Sequence, residues 1–330
     1  MSERVLVTGG TGYVGGWTIV GLLERGYEVR TTVRSPGGEA RVRAAVATET
    51  EAGDRLSFAQ ADLLDDGGWD AAMDGIDHVL HVASPLGDER ADADALIVPA
   101  REGALRVLRA ATRAGVRRVV MTSAANAASP TSYRSEGVTD ETLWTIDDPS
   151  LPAYRRSKTL AEKAAWDFMS SSPSTTELTT VLPGAVLGPV LTGDDVGTAS
   201  IVQRMLRGTM RGVPRIGLEV VDVRDLVDLH IRAMTSPDAA GERFLGTGPF
   251  VWMGDIARVL EDQLGDAAAK VSTRVLPDFA VRIASVFDPS LRRSRSRSAA
   301  ATGTAPRRRS ARSAGCRGRR RRPSWTAPGA

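Results

Sequence analysis

Arg4-Val5-Leu6-Val7-Thr8-Gly9-Gly10-Thr11-Gly12-Tyr13-Val14-Gly15-Gly16 is the stretch whose reading decides the fold. Val5 to Val7 is an apolar run the length of a buried strand, and 14–23 reads as a helix. Between them glycines fall at 9, 12 and 15. A tight turn needs a residue without Cβ, and so does backbone lying close to a pyrophosphate. The helix that follows offers free N–H groups and a positive dipole end to phosphates. Strand, glycine turn and helix in that order predict a dinucleotide site, whereas a glycine triplet elsewhere would carry little weight.

Working outward, the pattern repeats. Strands are predicted over 27–33, 56–59, 78–82, 118–122 and 178–182, and helices over 40–50, 69–73, 92–114 and 153–169. Alternating strands and helices imply right-handed crossovers and a parallel sheet. The predicted fold is α/β, a doubly wound parallel sheet over residues 1–183, mainly a dinucleotide-binding domain. Beyond 183 the rhythm loosens, with helices expected near 199–211 and 256–264 and an extended stretch at 220–226 leading into a helix through His230 and Met234. Residues 184–291 are read as mainly a smaller substrate lobe closing over the cofactor.

The chain has 330 residues, 42% of them hydrophobic, and no apolar run long enough to span a bilayer. The first strand begins almost at once, leaving no room for a signal peptide. A single cysteine, Cys316, excludes an internal disulfide framework and fits a reducing cytoplasm; with three histidines, it makes no structural zinc site. No metal is expected. The net charge of +3 is misleading, because residues 292–330 hold thirteen arginines and no acid, leaving 30 basic against 40 acidic residues in 1–291. The body is acidic and the basic pI belongs to the tail.

Tyr154-Arg155-Arg156-Ser157-Lys158 puts Tyr154 and Lys158 four apart, on one helix face. A phenol with a pKa near 10 is a poor acid–base catalyst at neutral pH, but a nearby ammonium favours the phenolate. Such a pair can pass a proton to or from a carbonyl or alcohol oxygen, and the lysine can also hold a ribose.

Thr8-Gly9-Gly10-Thr11-Gly12-Tyr13-Val14-Gly15, Tyr154-x-x-x-Lys158 and Pro183-Gly184 together resemble the extended short-chain dehydrogenase/reductases of the NAD-dependent epimerase/dehydratase superfamily. The resemblance covers residues 1 to about 291. Val29-Arg30-Thr31-Thr32-Val33-Arg34, His81-Val82-Ala83-Ser84-Pro85 and Asp288-Pro289 are most similar to its dihydroflavonol-reductase-like, cinnamoyl-CoA-reductase-like and aldehyde-reductase branch. The resemblance implies Tyr154 as proton donor with Lys158 lowering its pKa. It implies Gly9, Gly12 and Gly15 at the pyrophosphate, with Thr11, Tyr13 and Val14 in the same turn. It places Asp62 and Leu63 near the adenine and completes the cofactor site with Val82, Ala83, Ser84, Pro183 and Val186. One departure stands out. Such enzymes carry a Ser pair after the fifth strand, and this chain reads Thr122-Ser123-Ala124-Ala125-Asn126, with Ala124 where the second Ser belongs. Ser123 is taken as the catalytic substitute; Thr122 and Asn126 are the other donors.

An acid at the end of the second strand would suit NAD; here the strand ends Val33-Arg34, with Arg41 beyond. An arginine fork suits a 2′-phosphate. The cofactor is therefore read as NADP(H), with Arg34 the main contact and Arg41 a second. The function that follows is NADPH-dependent reduction of an aldehyde or ketone. The rival is an NAD-dependent nucleotide-sugar epimerase or dehydratase, and a more distant reading is a non-enzymatic redox sensor or nucleic-acid binder.

The 125–152 loop, with Tyr133, Trp144, Pro149 and Pro152, precedes the catalytic helix and is a candidate substrate wall, as are 186–198 and 249–252. Trp144 and Trp252 are read as packing residues first. Residues 292–330 are Arg-, Ala-, Gly-, Ser- and Pro-rich and should be disordered. They are read as a frameshift product, the alternative being a genuine basic tail able to bind phosphate backbones. Family analogy suggests a homodimer through the two long helices.

Overall fold

The computed structural model describes residues 2–85, 93–130, 140–191 and 197–277. The first half alternates β1 (Arg4–Thr8), α1 (Tyr13–Glu24), β2 (Glu28–Val33), α2 (Gly37–Val46), β3 (Leu56–Gln60), α3 (Trp69–Met73), β4 (His78–His81), α4 (Asp94–Ala114), β5 (Arg118–Thr122), α5 (Ala153–Ser171) and β6 (Glu177–Pro183). Val5, Leu6 and Val7 have no exposed surface, as expected for a strand covered on both faces. In α4, Leu96, Ile97, Ala100, Ala104, Val107, Leu108 and Ala111 are buried at helical spacing, and Gly115 at φ 70° ends the helix in the left-handed conformation.

The second half is less regular. It comprises β7 (Ala185–Leu187), α6 (Ser200–Leu206), β8 (Val213–Pro214), β9 (Gly217–Asp222), α7 (Val223–Thr235), β10 (Arg243–Gly246), β11 (Phe250–Trp252), α8 (Met253–Leu264) and β12 (Val275–Leu276). α6 is shorter than the expected 199–211, because Gly208 turns the chain at φ +70°.

Seven strands form one sheet in the order β10-β6-β5-β4-β1-β2-β3, every neighbouring pair parallel. The order reverses between β1 and β4, and at such a reversal an open α/β sheet forms a crevice at the carboxyl ends of its strands. The chain does not leave this sheet for good at 183: α7 packs against the buried face of α1, and β10 adds a seventh strand beside β6. The smaller lobe is thus built from the segments on either side of that return. Its β7, β9 and β11 form a three-stranded sheet, and Met205, Val213, Ile216, Leu218, Met253 and Ala257 form its core. The arginine-rich 292–330 segment, Cys316 and the Asp288-Pro289 pair lie outside the described residues, as does Tyr133. Among the described residues no helix is long and apolar enough to cross a membrane, and no group of three or more metal-ligating side chains assembles.

Candidate active site

Because the seven strands are parallel, their carboxyl ends meet on one edge. That edge carries Gly9 to Gly12 after β1, Arg34 after β2, Asp62 after β3, Val82 to Ser84 after β4, Ser123 to Asn126 after β5 and Gly184 after β6.

The glycine turn is closed by the Gly12 N–H donating to the Gly9 carbonyl at 2.9 Å. Gly9 sits at φ +78°, and a Cβ there would lie 3.0 Å from Ala83. At Gly15 a Cβ would lie 2.1 Å from the Gly9 carbonyl oxygen, so only glycine lets α1 start so close to the turn. Thr8 locks the two sides of the crevice together. Its hydroxyl accepts from the Ala83 N–H at 3.1 Å and lies 2.8 Å from His81 Nδ1. Burial pushes His81 down to about 3, with the Lys158 charge acting in the same direction, so the ring is neutral and shares one hydrogen bond with the Thr8 hydroxyl. This cradle, empty of side chains beside the positive end of α1, fits a dinucleotide pyrophosphate. Tyr13 begins α1 directly after the turn: its hydroxyl is buried without a partner among the described residues, close to where a Gly188 side chain would point, and burial raises its pKa. Trp17 Nε1 donates to the Pro189 carbonyl at 2.9 Å and brings the segment after β7 onto α1.

Arg34 is exposed, and among the described residues nothing engages its guanidinium. Its neighbours differ. Arg30 donates to the carbonyls of Ala71, Ala72 and Asp74, while Arg43 donates to the Leu56 carbonyl and covers the Phe58 ring at 4.9 Å. Gly38 lies against Val33 and near the Thr11 methyl, so the 34–38 segment borders the glycine turn. Arg41 is also exposed, on α2. The Asp62 carboxylate accepts from the Leu64 N–H at 3.0 Å, and Leu63 packs on Gly103 of α4 while its carbonyl accepts from Arg106 at 2.9 Å. Both are half-buried, as are Val82, Ala83 and Ser84; Pro183 and Val186 are buried.

Tyr154 stands in the first turn of α5 and Lys158 in the next, with Nζ 5.9 Å from the Tyr154 ring centroid. Arg155 fixes this helix start by donating to the carbonyls of Asn126, Ser129 and Pro130. Lys158 is buried, and desolvation pushes it down to about 8 while the charge of Glu162 opposes the shift. It remains mostly an ammonium at neutral pH.

The three candidate donors after β5 separate by strand alternation. Thr122 turns toward α7, where its hydroxyl lies 2.8 Å from His230 Nε2. His230 Nδ1 faces the Leu226 carbonyl at 2.8 Å, and burial holds the ring down to about 4; it is neutral with the proton on Nδ1, so Nε2 accepts from Thr122. Ser123 turns the other way, toward α5, and donates to the Glu162 carboxylate at 2.6 Å. The single proton of each hydroxyl is thus committed within the protein, and Ser123 as placed offers none to the crevice. Ala124 brings no donor. Asn126 is the half-buried member of a 3-10 turn whose other residues, Ala125, Ala127 and Ala128, are buried. Its carbonyl is held by Thr145 Oγ1 at 2.6 Å and by Arg155, and its side-chain amide has no partner among the described residues.

Trp144, which lies in the candidate wall loop and is read first as a packing residue, has one face covered by the Arg243 guanidinium at 3.6 Å from the ring centroid. Trp252 stacks edge-on with Phe250 at 4.9 Å in the smaller lobe. Thr8, Glu162 and Arg243 were not marked as site residues by sequence reasoning. Glu162 alone left a trace, four residues after Lys158 on the same helix face.

Residues 5–245 match the model of the NAD dependent epimerase/dehydratase family. Cinnamoyl-CoA reductase 1 of Oryza sativa subsp. japonica is 36% identical over 265 residues, covering 79% of this chain and 75% of that protein. Anthocyanidin reductase ((2S)-flavan-3-ol-forming) of Vitis vinifera is 34% identical over 256 residues, covering 72% and 75%. Among solved structures, yeast methylglyoxal/isovaleraldehyde reductase complexed with NADPH superimposes with a TM-score of 0.75 at 25% identity, covering 82% of this chain and 85% of that one.

Proposed function

This chain belongs to the NAD dependent epimerase/dehydratase family, and from that premise we propose that it is an NADPH-dependent reductase of an aldehyde or ketone. The observation that carries the reading is the Tyr154–Lys158 pair at the same sheet edge as the glycine cradle. Gly9, Thr11, Gly12, Tyr13, Val14 and Gly15 would hold the pyrophosphate, Arg34 with Arg41 the 2′-phosphate, and Asp62 and Leu63 the adenine side. Val82, Ala83, Ser84, Pro183 and Val186 would line the path toward the reacting end, with Lys158 on the ribose. NADPH, when bound, would supply a hydride to the carbonyl carbon.

The protein's own part is the proton. Tyr154 donates its phenolic proton to the carbonyl oxygen, completing the alcohol, and the Lys158 ammonium stabilises the phenolate left behind. A second donor to that oxygen would normally come from the position of Ala124. With Thr122 and Ser123 donating elsewhere, Asn126 takes this role through its amide. Asn126→Ala is expected to lower kcat about 10²-fold with NADPH affinity retained, and Ala124→Ser in that background to restore much of the loss. Unchanged kcat in Asn126→Ala would contradict the assignment.

Arg34→Asp should weaken NADPH binding by far more than NADH binding, since only NADPH carries the phosphate that the fork grips; equal losses would remove Arg34 from the site. Relatives named for cinnamoyl-CoA, anthocyanidin and methylglyoxal or isovaleraldehyde reduction point to a carbonyl substrate, an aromatic one among the first to try. The test of the function is NADPH consumption against a panel of aldehydes and ketones. Tightly bound NAD that turns over with no NADPH consumed would point instead to an epimerase or dehydratase. The half-buried apolar residues of α5, with Val98 exposed on α4, suit a homodimer through these helices, which a monomeric mass by light scattering would exclude. A reducing compartment such as the cytoplasm suits a chain with one cysteine.

A further inference from the structure

Glu162 is fully buried, two turns beyond Tyr154 and one beyond Lys158 on the same face of α5. Its carboxylate accepts from Ser123 Oγ at 2.6 Å, Thr180 Oγ1 at 2.8 Å, and Arg243 through Nε at 2.8 Å and Nη2 at 3.3 Å. Arg243 reaches on to the carbonyls of Glu141 and Leu143 and lies flat on Trp144. One carboxylate therefore joins the end of β5, the middle of β6, strand β10, the helix bearing Tyr154 and, through Arg243, the 140–145 segment that precedes it.

A plain structural ion pair would need one cation for one anion. Here a second buried cation, Lys158, lies one helical turn before Glu162 on the same face of α5, and the Glu162 charge favours its ammonium form. The other ionisable groups around Lys158 are Tyr154 on its own helix and His81 at the end of β4, and His81 is neutral. Neither supplies negative charge. A buried ammonium without a nearby anion tends to lose its proton, and a neutral amine would no longer favour the Tyr154 phenolate.

The geometry points to Glu162 as a positioning residue: it keeps Lys158 an ammonium beside Tyr154 and pins the strand end carrying Ser123, while Arg243 extends the restraint to the 140–145 segment. The kinetic part of this inference rests on the reductase reading; the charge coupling does not.

The chain has three lysines, Lys158, Lys163 and Lys270, so side-chain amine titration by NMR with isotope-labelled lysine resolves each one. Lys158 should titrate near 8 in the unaltered protein. In Glu162→Gln the ratio of ammonium to amine at a given pH should fall about tenfold, one unit of midpoint. Removing one partner of a buried pair can unfold a protein, so the double variant Glu162→Gln/Arg243→Gln is the decisive companion: it removes both members of the Glu162–Arg243 pair, leaving neither of them unpaired, yet the Lys158 midpoint should still drop. Arg243→Gln alone leaves the carboxylate and should not lower it. With an accepted carbonyl, the alkaline limb of the kcat/KM profile should move acid in step with Lys158, while the KM for NADPH stays. An unchanged Lys158 midpoint in the folded double variant overturns the inference. A Lys158 shift in a protein that reduces no carbonyl would overturn the reductase reading and leave the coupling standing.

Discussion

Tyr154→Phe should lower the rate of NADPH-dependent carbonyl reduction by about 10²–10⁴-fold while NADPH still binds. The substitution removes only the hydroxyl. The ring keeps its place in the first turn of α5, whose start is anchored by Arg155 on three carbonyls, so the helix and the glycine cradle have no cause to move. What is lost is the hydroxyl proposed to hand a proton to the carbonyl oxygen, with the Lys158 ammonium near it to stabilise the resulting phenolate. The loss should therefore fall on kcat, with the fluorescence-monitored Kd for NADPH nearly unchanged. A variant that keeps most of its turnover would show that the proton comes from elsewhere.

Gly15→Ala should do the reverse, striking cofactor binding first. The added methyl would sit 2.1 Å from the Gly9 carbonyl oxygen and 2.8 Å from its carbon, and backbone cannot rotate away as a side chain would. Either α1 shifts outward or the turn opens, and both spoil the alignment of N–H groups with a pyrophosphate. Overpacking of this kind costs about 1–3 kcal/mol, visible as a lower Tm, and NADPH affinity should fall by at least as large a factor. Turnover at saturating NADPH should suffer less, because Tyr154 and Lys158 sit on another element. Unchanged Tm and unchanged NADPH affinity would contradict the close approach on which the cradle depends.

The features legible in the sequence are those written in local spacing. The strand, glycine turn and helix of residues 4–24 lie within one stretch of chain, and Tyr154 and Lys158 lie one helical turn apart. The parallel sheet follows from the alternation of buried runs and amphipathic helices. The features that escaped depend on contacts distant in sequence. β10 pairs with β6 across some sixty residues, so nothing near Arg243 announces its return to the large sheet. Arg243 and Glu162 are 81 residues apart, and their bond exists only because that strand comes back. The fate of the hydroxyls at Thr122 and Ser123 turned on which way each residue faces at the end of β5. Alternation says that they oppose one another, but only the packing of α7 and α5 says that His230 and Glu162 wait on the two sides. The short smaller-lobe elements were blurred for a similar reason: α6 stops where Gly208 must turn tightly against Lys270, a neighbour supplied by tertiary structure.

The central claim is that hydride passes from NADPH to a carbonyl carbon while Tyr154 supplies the proton. The most direct measurement is transfer of deuterium from NADPH labelled at the hydride position, with an accepted aldehyde or ketone, read by mass spectrometry of the product. The account predicts an alcohol carrying the deuterium on its former carbonyl carbon, formed at the rate at which NADPH is consumed and lost in step with turnover in Tyr154→Phe. Product free of deuterium, or label that returns to bound cofactor with no net reduction, would contradict it.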